Sequence, residues 1–171
     1  MKKNQIIDQS ILFFTAALFF SFSVSAQKQQ KKTAGNYTYP TECVSTEMDG
    51  SETVKAYGTG KGRIDATNQA KKNAVNDILF KGILDGKGGC SVKPLLNEAN
   101  VREKHEDYFN AFFADKGEYE KYIVLNDASA EQRYFKDVKY SDKEVTYGLI
   151  IQVLRPALKK KMIEDKILTP Q

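Results

Sequence analysis

The stretch that decides the fold of this chain runs from residue 54 to residue 83 and reads VKAYGTGKGRIDATNQAKKNAVNDILFKGI. It begins with a β-prone run, passes through three evenly spaced glycines, and continues with alanines at every fourth position, at residues 66, 70 and 74. Side chains four apart lie on one face of a helix, and small ones let that face approach a sheet closely. The stretch therefore predicts a strand joined by a tight corner to a helix. We expect Asp65 to be the N-cap of this helix and the helix to end near Leu84.

The segments on either side of this stretch predict further strands and helices. Asp49-Gly50 lies between two β-prone runs and favours a hairpin turn, while residues 145–153 place apolar side chains at every second position, as a half-buried strand does. The other expected elements are a strand at 43–47, a helical stretch at 94–115, strands at 119–126 and 132–140, and a closing helix at 157–168. Because helices and strands are grouped rather than alternating, we predict an α+β fold in a single domain, residues 37–171. It has a mostly antiparallel sheet of about four to five strands, with two to three helices packed on one face.

The amino-terminal residues 1–26 have the three parts of a secretory signal peptide. A positively charged start precedes an apolar run at residues 11–22, and small side chains come directly before Gln27. A membrane span needs about 20 apolar residues, and this run is shorter. We therefore expect cleavage near Ala26–Gln27, a flexible polar tail at residues 27–36, and a periplasmic or secreted protein without a transmembrane anchor in the mature chain.

The charge of the chain excludes one class of partner. The formal net charge is +4, and cleavage lowers it to +3 because Lys2, Lys3 and Asp8 are removed. Proteins that bind nucleic acids concentrate basic side chains on one face. A small surplus of this kind mainly favours solubility, so we expect no nucleic-acid partner. The sequence leaves the oligomeric state open.

Cys43 and Cys90 are the only cysteines of the chain. An even pair in an exported protein favours a disulfide, and Cys90 lies in a glycine-rich loop that could bend toward the first strand. A bond between positions about 47 residues apart contributes about 4 kcal/mol by loop-entropy reasoning. The other interpretation is two free thiols, either buried or reactive.

The segment Gly60-Lys61-Gly62-Arg63 is the part of the chain most like a phosphate-binding loop. A P-loop needs Lys followed by Ser or Thr, whereas Lys61 is followed by Gly62. The dinucleotide fingerprint needs glycines two and then three positions apart, whereas residues 58, 60 and 62 are evenly spaced. The favoured interpretation is structural, a close approach of strand and helix backbones at the corner. An anion-binding helix N-terminus flanked by Lys61 and Arg63 is the alternative.

No catalytic motif is complete in this sequence. His105 is the sole histidine and lies among charged residues, which favours a solvated side chain over a catalytic one. Two cysteines and one histidine cannot by themselves supply four zinc ligands. Neighbouring carboxylates such as Glu118 and Glu120, or Glu164 and Asp165, lie in polar contexts with no apolar run to raise a pKa. We therefore expect no enzymatic activity, no metal and no cofactor.

The strand that ends in Ala56-x-Gly58-x-Gly60, followed by the alanine-rich helix, resembles the amino-terminal domain of the flagellar assembly protein T and related small envelope lipoproteins. The late strand followed by Arg155-Pro156 and a short helix is similar to the way those domains close. They are exported α+β domains without known catalytic residues, so the resemblance implies an accessory or assembly role in the cell envelope. The chain departs from the lipoproteins because the residue directly after the expected cleavage site is Gln27 and not a cysteine that could be acylated.

Two functions remain to be distinguished. The first expectation is an exported, non-enzymatic domain that binds another envelope protein. The alternative is a module that binds a small anion or a polyanion at the corner formed by Gly60, Lys61, Gly62 and Arg63.

Overall fold

The computed structural model describes residues 39–125, 134–136 and 144–170. The predicted signal peptide, its cleavage site and the polar tail lie outside the described residues. The elements in chain order are β1 (Glu42–Thr46), β2 (Glu52–Gly60), α1 (Arg63–Phe80), β3 (Asp85–Gly86), α2 (Val101–Lys104), α3 (Glu106–Phe112), a 3-10 helix (Glu118–Tyr122), β4 (Ile123–Leu125), β5 (Tyr134–Lys136), β6 (Val145–Val153) and α4 (Arg155–Glu164).

The strands form one sheet with the order β3-β1-β2-β6-β4, and β5 also pairs with β6. Its centre is the antiparallel pair of β2 and β6, which are in register from Glu52 opposite Val153 to Gly60 opposite Val145. The α+β fold and the mostly antiparallel sheet are confirmed. The sheet is mixed because the two-residue β3 runs parallel to β1, and no sequence pattern predicted that short strand.

Strands β4 and β5 lie one after the other along the same edge of β6, because β2 occupies its other edge. Leu125 of β4 is opposite Ile151, and Tyr134 of β5 is opposite Leu149. The strand predicted at 119–126 is therefore only partly correct, since the whole of its first half lies in the 3-10 helix. Strand β5 falls within the predicted strand at 132–140, whose other residues lie outside the described ranges.

Helix α1 packs along β2 and β6 through its alanine row. Ala66, Ala70 and Ala74 have no exposed surface. A Cβ atom added at Gly58 of β2 would lie 2.2 Å from the carbonyl oxygen of Ala66 and 2.3 Å from the amide nitrogen of Ala70. The strand and helix backbones are thus almost in contact, as small residues on both elements allow.

Both predicted ends of α1 are wrong by a few residues. The N-cap is Gly62, not Asp65, which lies in the first turn of the helix. The helix ends at Phe80 instead of near Leu84, because Gly82 adopts a φ of +76° and donates its amide hydrogen to the carbonyl of Asp77 at 2.7 Å. A residue with positive φ after a helix is a common way to end it.

The helical stretch predicted at 94–115 is also shorter and is broken. Asn100 adopts a φ of 58°, α2 begins only at Val101, and His105 separates α2 from α3. The closing helix α4 begins at Arg155 with Pro156 in its first turn, which suits the fixed φ of proline. It ends at Glu164, one turn before the predicted end.

The short helices, the 3-10 helix and α4 contribute to the same core as the sheet and α1. The part of this core away from the sheet is mostly aromatic, with rings packed 4.9 to 6.5 Å apart: Phe80, Tyr108, Phe109, Phe112, Phe113, Tyr119 and Tyr122. The guanidinium of Arg102 lies over two of these rings, at 5.4 Å from Phe80 and 5.8 Å from Phe113. Aromatic rings in such edge and offset arrangements pack favourably, so this cluster holds α3 and the 3-10 helix against each other and against the end of α1.

Candidate functional site

The corner between β2 and α1 contains the candidate binding segment that was predicted from the sequence. β2 ends at Gly60, Lys61 connects the two elements, Gly62 caps the helix, and Arg63 is the first helical residue. The amide of Ala66 donates to the carbonyl of Gly62 at 2.9 Å, which is the first hydrogen bond of the helix. The structure therefore brings the four predicted residues together at the N-terminus of the helix, with the side chains of Lys61 and Arg63 exposed.

Asp65 changes the electrostatics of this corner. Its Oδ2 accepts a hydrogen bond from the amide of Lys61 at 2.9 Å. An acidic side chain in the first turn of a helix is stabilised by the helix dipole. The carboxylate thus occupies part of the position that an external anion would take and cancels one of the two nearby positive charges. The prediction of Asp65 as the N-cap was wrong and did not include this role.

An open depression of about 700 Å³ lies beside the corner. The side chains that line it carry both charges, from Arg63, Asp65, Lys72 and Asp115, together with the amides of Asn68 and Gln69 and the aliphatic side chain of Ile64. Lys72 and Asp115 form an ion pair, with Nζ 2.8 Å from Oδ1. The depression is therefore charge-balanced, and it combines hydrogen-bonding groups with an apolar side chain.

Ile64 is the unusual member of this group. Its side chain is 78% exposed although it lies in the first turn of a helix whose other apolar side chains are mostly buried. A single exposed apolar residue needs no explanation, but one at the rim of a depression adds apolar area to a surface otherwise suited to polar contacts. Such a combination of an apolar anchor with a polar rim is typical of protein–protein contacts.

A second feature is the disulfide between Cys43 and Cys90, whose Cα atoms are 5.7 Å apart. The loop before Cys90 lies directly on β1. A Cβ atom added at Gly86 would be 2.3 Å from the carbonyl oxygen of Cys43, and one at Gly88 would be 2.3 Å from the carbonyl carbon and oxygen of Val44. The prediction that the glycine-rich loop bends toward the first strand is confirmed, and the free-thiol interpretation is wrong for this structure.

The loop that the disulfide fastens presents two exposed apolar side chains. The amide of Ile83 donates to the carbonyl of Ser91 at 3.0 Å, which closes the loop at its base. Leu84 and Val92, which follow these two residues, are 74% and 60% exposed. The loop therefore carries two exposed apolar side chains near its base.

Two of the residues considered for catalysis, Glu118 and Asp165, share an ion-pair partner in Lys161. His105 lies at the break between α2 and α3, and both cysteines are oxidised. Asp165 accepts a hydrogen bond from the hydroxyl of Tyr108 at 2.6 Å and pairs with Lys161, which also pairs with Glu118. Within the described ranges, no three or more His, Cys, Asp and Glu side chains are grouped so that they could hold a metal ion.

Burial and hydrogen bonding shift two pKa values in this charged group. Burial raises the pKa of Tyr108, and its hydrogen bond to Asp165 raises it further. The same hydrogen bond is the main reason that the pKa of Asp165 is lowered. The carboxylates of Asp165 and Glu118 are therefore both paired with Lys161, and Asp165 is also held by its hydrogen bond to Tyr108 of the aromatic cluster.

Helix α1 carries a row of buried polar side chains that was not predicted from the sequence. Asn73 donates to the carbonyl of Tyr57 at 2.7 Å and accepts from Gln69 at 2.9 Å. Asp77 accepts from the hydroxyl of Thr41 at 2.5 Å, and Asn76 accepts from Arg102 at 2.8 Å. The available signal was the spacing of residues 69, 73, 76 and 77, which follows one helix face just as the alanine row does.

The fold and the disulfide thus define a class of protein, an α+β domain with one mostly antiparallel sheet, a long helix on the sheet and a fastened loop. Among its described helices, none combines the length and the apolar character that crossing a bilayer requires. No family model, no curated protein and no solved structure matches the chain. The resemblance to the flagellar assembly protein T domain accordingly stays a prediction.

Proposed function

We propose that this protein is an exported, non-enzymatic domain of the cell envelope that binds another envelope protein, with the depression beside the β2–α1 corner as the binding surface. Support for export comes from the amino-terminal sequence and from the disulfide between Cys43 and Cys90, since such bonds persist mainly in oxidising compartments. An accessory or assembly role is consistent with a compact core and with the absence of a complete catalytic motif in the sequence.

The observation that carries the binding surface is the exposure of Ile64 at the rim of a charge-balanced depression. Protein partners use an apolar anchor surrounded by polar and charged groups that fix the orientation. The amides of Asn68 and Gln69 and the ion pair of Lys72 with Asp115 supply such groups here. An open depression also suits a protein surface better than a small ligand, which prefers an enclosed pocket.

Site-specific crosslinking in intact cells of the natural host tests this proposal. A photoreactive amino acid replaces Ile64, and in a matched control it replaces Met48, which is a fully exposed apolar residue in the β1–β2 turn. We expect a discrete crosslinked protein from position 64 and none from position 48. The proposal is wrong if neither position yields an adduct, or if both yield the same one with equal efficiency.

The substitution Ile64→Ser supplies the complementary measurement. Because the Ile64 side chain is largely exposed, we expect the variant to keep the stability of the parent within about 0.5 kcal/mol. The amount of the partner recovered with the variant should fall severalfold. Unchanged recovery of the partner would mean that it binds a different surface of the protein.

Anion binding at Gly60, Lys61, Gly62 and Arg63 is the second candidate. It is favoured by the exposed Lys61 and Arg63 at a helix N-terminus and opposed by the carboxylate of Asp65 at the same place. The double substitution Lys61→Glu and Arg63→Glu tests it on a polyanionic matrix. Unchanged retention of the variant removes this candidate, whereas a loss of retention that leaves the crosslink from position 64 intact would favour it as a separate activity.

A further inference from the structure

Glu52 is a buried carboxylate at the start of β2. Its side chain is 3% exposed. One carboxylate oxygen, Oε1, accepts a hydrogen bond from the amide of Ser91 at 2.7 Å and lies 3.4 Å from Nε of Arg155. The other oxygen, Oε2, is buried and has no hydrogen-bond partner among the residues that the structure describes. Only one half of this carboxylate is therefore satisfied by the protein.

Arg155, the first residue of α4, connects the same group to the disulfide loop. Its NH2 donates to the hydroxyl of Ser91 at 3.1 Å and to the carbonyl of Lys93 at 2.9 Å. Ser91 directly follows Cys90. The three residues Glu52, Ser91 and Arg155, called here the Glu52 joint, thus fasten the disulfide loop to both β2 and α4.

Glu52 faces a guanidinium and a backbone amide from two neighbouring segments. From the start of α4 comes the guanidinium of Arg155, and from the disulfide loop comes the uncharged amide of Ser91. Burial raises the pKa of Glu52, and these two partners lower it by less. A buried carboxylate with an unsatisfied oxygen is destabilised in its charged form.

A proton on Oε2 removes the buried negative charge without breaking the joint. The neutral carboxyl keeps Oε1 as an acceptor for the Ser91 amide, and the hydrogen bonds of Arg155 to the loop do not involve Glu52. Opening of the loop would expose the carboxyl to water, where it loses its preference for the proton. Loop opening and proton release are therefore linked.

We infer that the Glu52 joint is a pH-sensitive fastening of the disulfide loop: the closed loop binds a proton on Oε2 of Glu52 more tightly than the open loop does, so that opening the loop releases that proton. The direction follows from linkage. Because the folded pKa of Glu52 lies above that of the unfolded chain, its contribution to stability is fully present below the unfolded pKa. That contribution is lost as the pH rises through the folded pKa.

A nuclear magnetic resonance titration of the unaltered protein is the first test. The carboxyl carbon of Glu52 is followed in protein labelled with carbon-13 on glutamate, in the native state and in urea. We expect the native titration midpoint at a higher pH than the midpoint in urea. Equal midpoints, or a lower native one, would overturn the inference, and this measurement needs no variant to fold.

The second test measures loop opening through the disulfide, because both cysteines are 7% exposed and a reductant must wait for the loop to open. The rate of reduction by a water-soluble phosphine is compared between the parent and Glu52→Gln at each pH, so that the reductant's own pH dependence cancels. The ratio of parent to variant rates should fall as the pH falls, by up to tenfold per pH unit between the two midpoints.

A matched control uses an exposed glutamate on α2. The substitution Glu103→Gln removes a carboxylate of the same size outside the joint, so its rate ratio to the parent should not change with pH. A rate ratio for Glu52→Gln that is equally independent of pH would overturn the inference. The crosslinking at position 64 is unaffected by either result, so this inference and the proposed function can fail separately.

Discussion

Strand β2 approaches α1 very closely at Gly58, and adding one methyl group there is a strong perturbation. The substitution Gly58→Ala places a Cβ 2.2 Å from the carbonyl oxygen of Ala66 and 2.3 Å from the amide nitrogen of Ala70. Ordinary contacts of this kind begin at 3.4 Å. Since both neighbours are backbone atoms, the strand and the helix must separate by about 1 Å, which weakens the dispersion contacts along the whole alanine row.

We expect Gly58→Ala to lower the free energy of unfolding by about 3 kcal/mol, the upper end of the range for overpacked cores. In a protein of this size the melting temperature should fall by about 6 to 12 °C. The matched control is Gly62→Ala. Gly62 has a φ of −156°, which any residue can adopt, and a Cβ atom there meets nothing within 4 Å.

In Gly62→Ala, alanine stabilises the fold because it lowers the conformational entropy of the unfolded chain, whereas the N-cap position prefers glycine. The two effects oppose each other, so the free energy of unfolding should change by no more than about 1 kcal/mol. Urea unfolding followed by far-ultraviolet circular dichroism measures both variants. If Gly58→Ala unfolds within about 1 kcal/mol of the parent, or loses no more stability than Gly62→Ala, the argument from backbone contact is wrong.

Two further predictions concern covalent and acid stability. Replacing both Cys43 and Cys90 by alanine should lower the free energy of unfolding by about 4 kcal/mol, because the bond closes a long loop in the unfolded chain; equal urea midpoints for parent and variant would contradict this. Tyr108→Phe removes the hydrogen bond that chiefly lowers the pKa of Asp165, so that pKa should rise toward its ordinary value. The stability that Asp165 contributes above its unfolded pKa is lost as the pH falls, so the variant should show a weaker acid dependence of unfolding than the parent. Carboxyl titration by nuclear magnetic resonance would show no change if the bond did not control this pKa.

Local patterns predicted the central elements of the fold well. The alternation in residues 145–153 and the β-prone run before Gly60 gave the two strands at the centre of the sheet, and the alanine row gave the helix face that covers them. Each of these signals depends on residues only a few positions apart along the chain, so no long-range contact is needed to produce it. Helix ends were less accurate, because Gly62 and Gly82 act through backbone geometry that the hydrophobic pattern does not record.

The strand-to-helix corner was predicted from the sequence, but the depression beside it was not. The glycines and basic side chains at 60–63 indicated a strand-to-helix corner, and the structure places them there. Their charges alone suggested an anion site. The sequence could not show that Asp65 bonds back to the amide of Lys61, or that Asp115 comes to Lys72 from 43 positions away. Those two carboxylates are what make the depression charge-balanced.

By itself, the sequence determined the strand–corner–helix unit, the alternating last strand and the pair of cysteines available for a disulfide. These features follow from backbone preferences and side-chain periodicity, which act over short distances along the chain. Only the tertiary structure decided that β3 runs parallel to β1, that Ile64 remains exposed, and that Glu52 is buried beside Arg155 and Ser91. Burial and electrostatic pairing depend on which distant segments meet. For Glu52, that meeting buries the carboxylate and leaves Oε2 without a hydrogen-bond partner among the described residues.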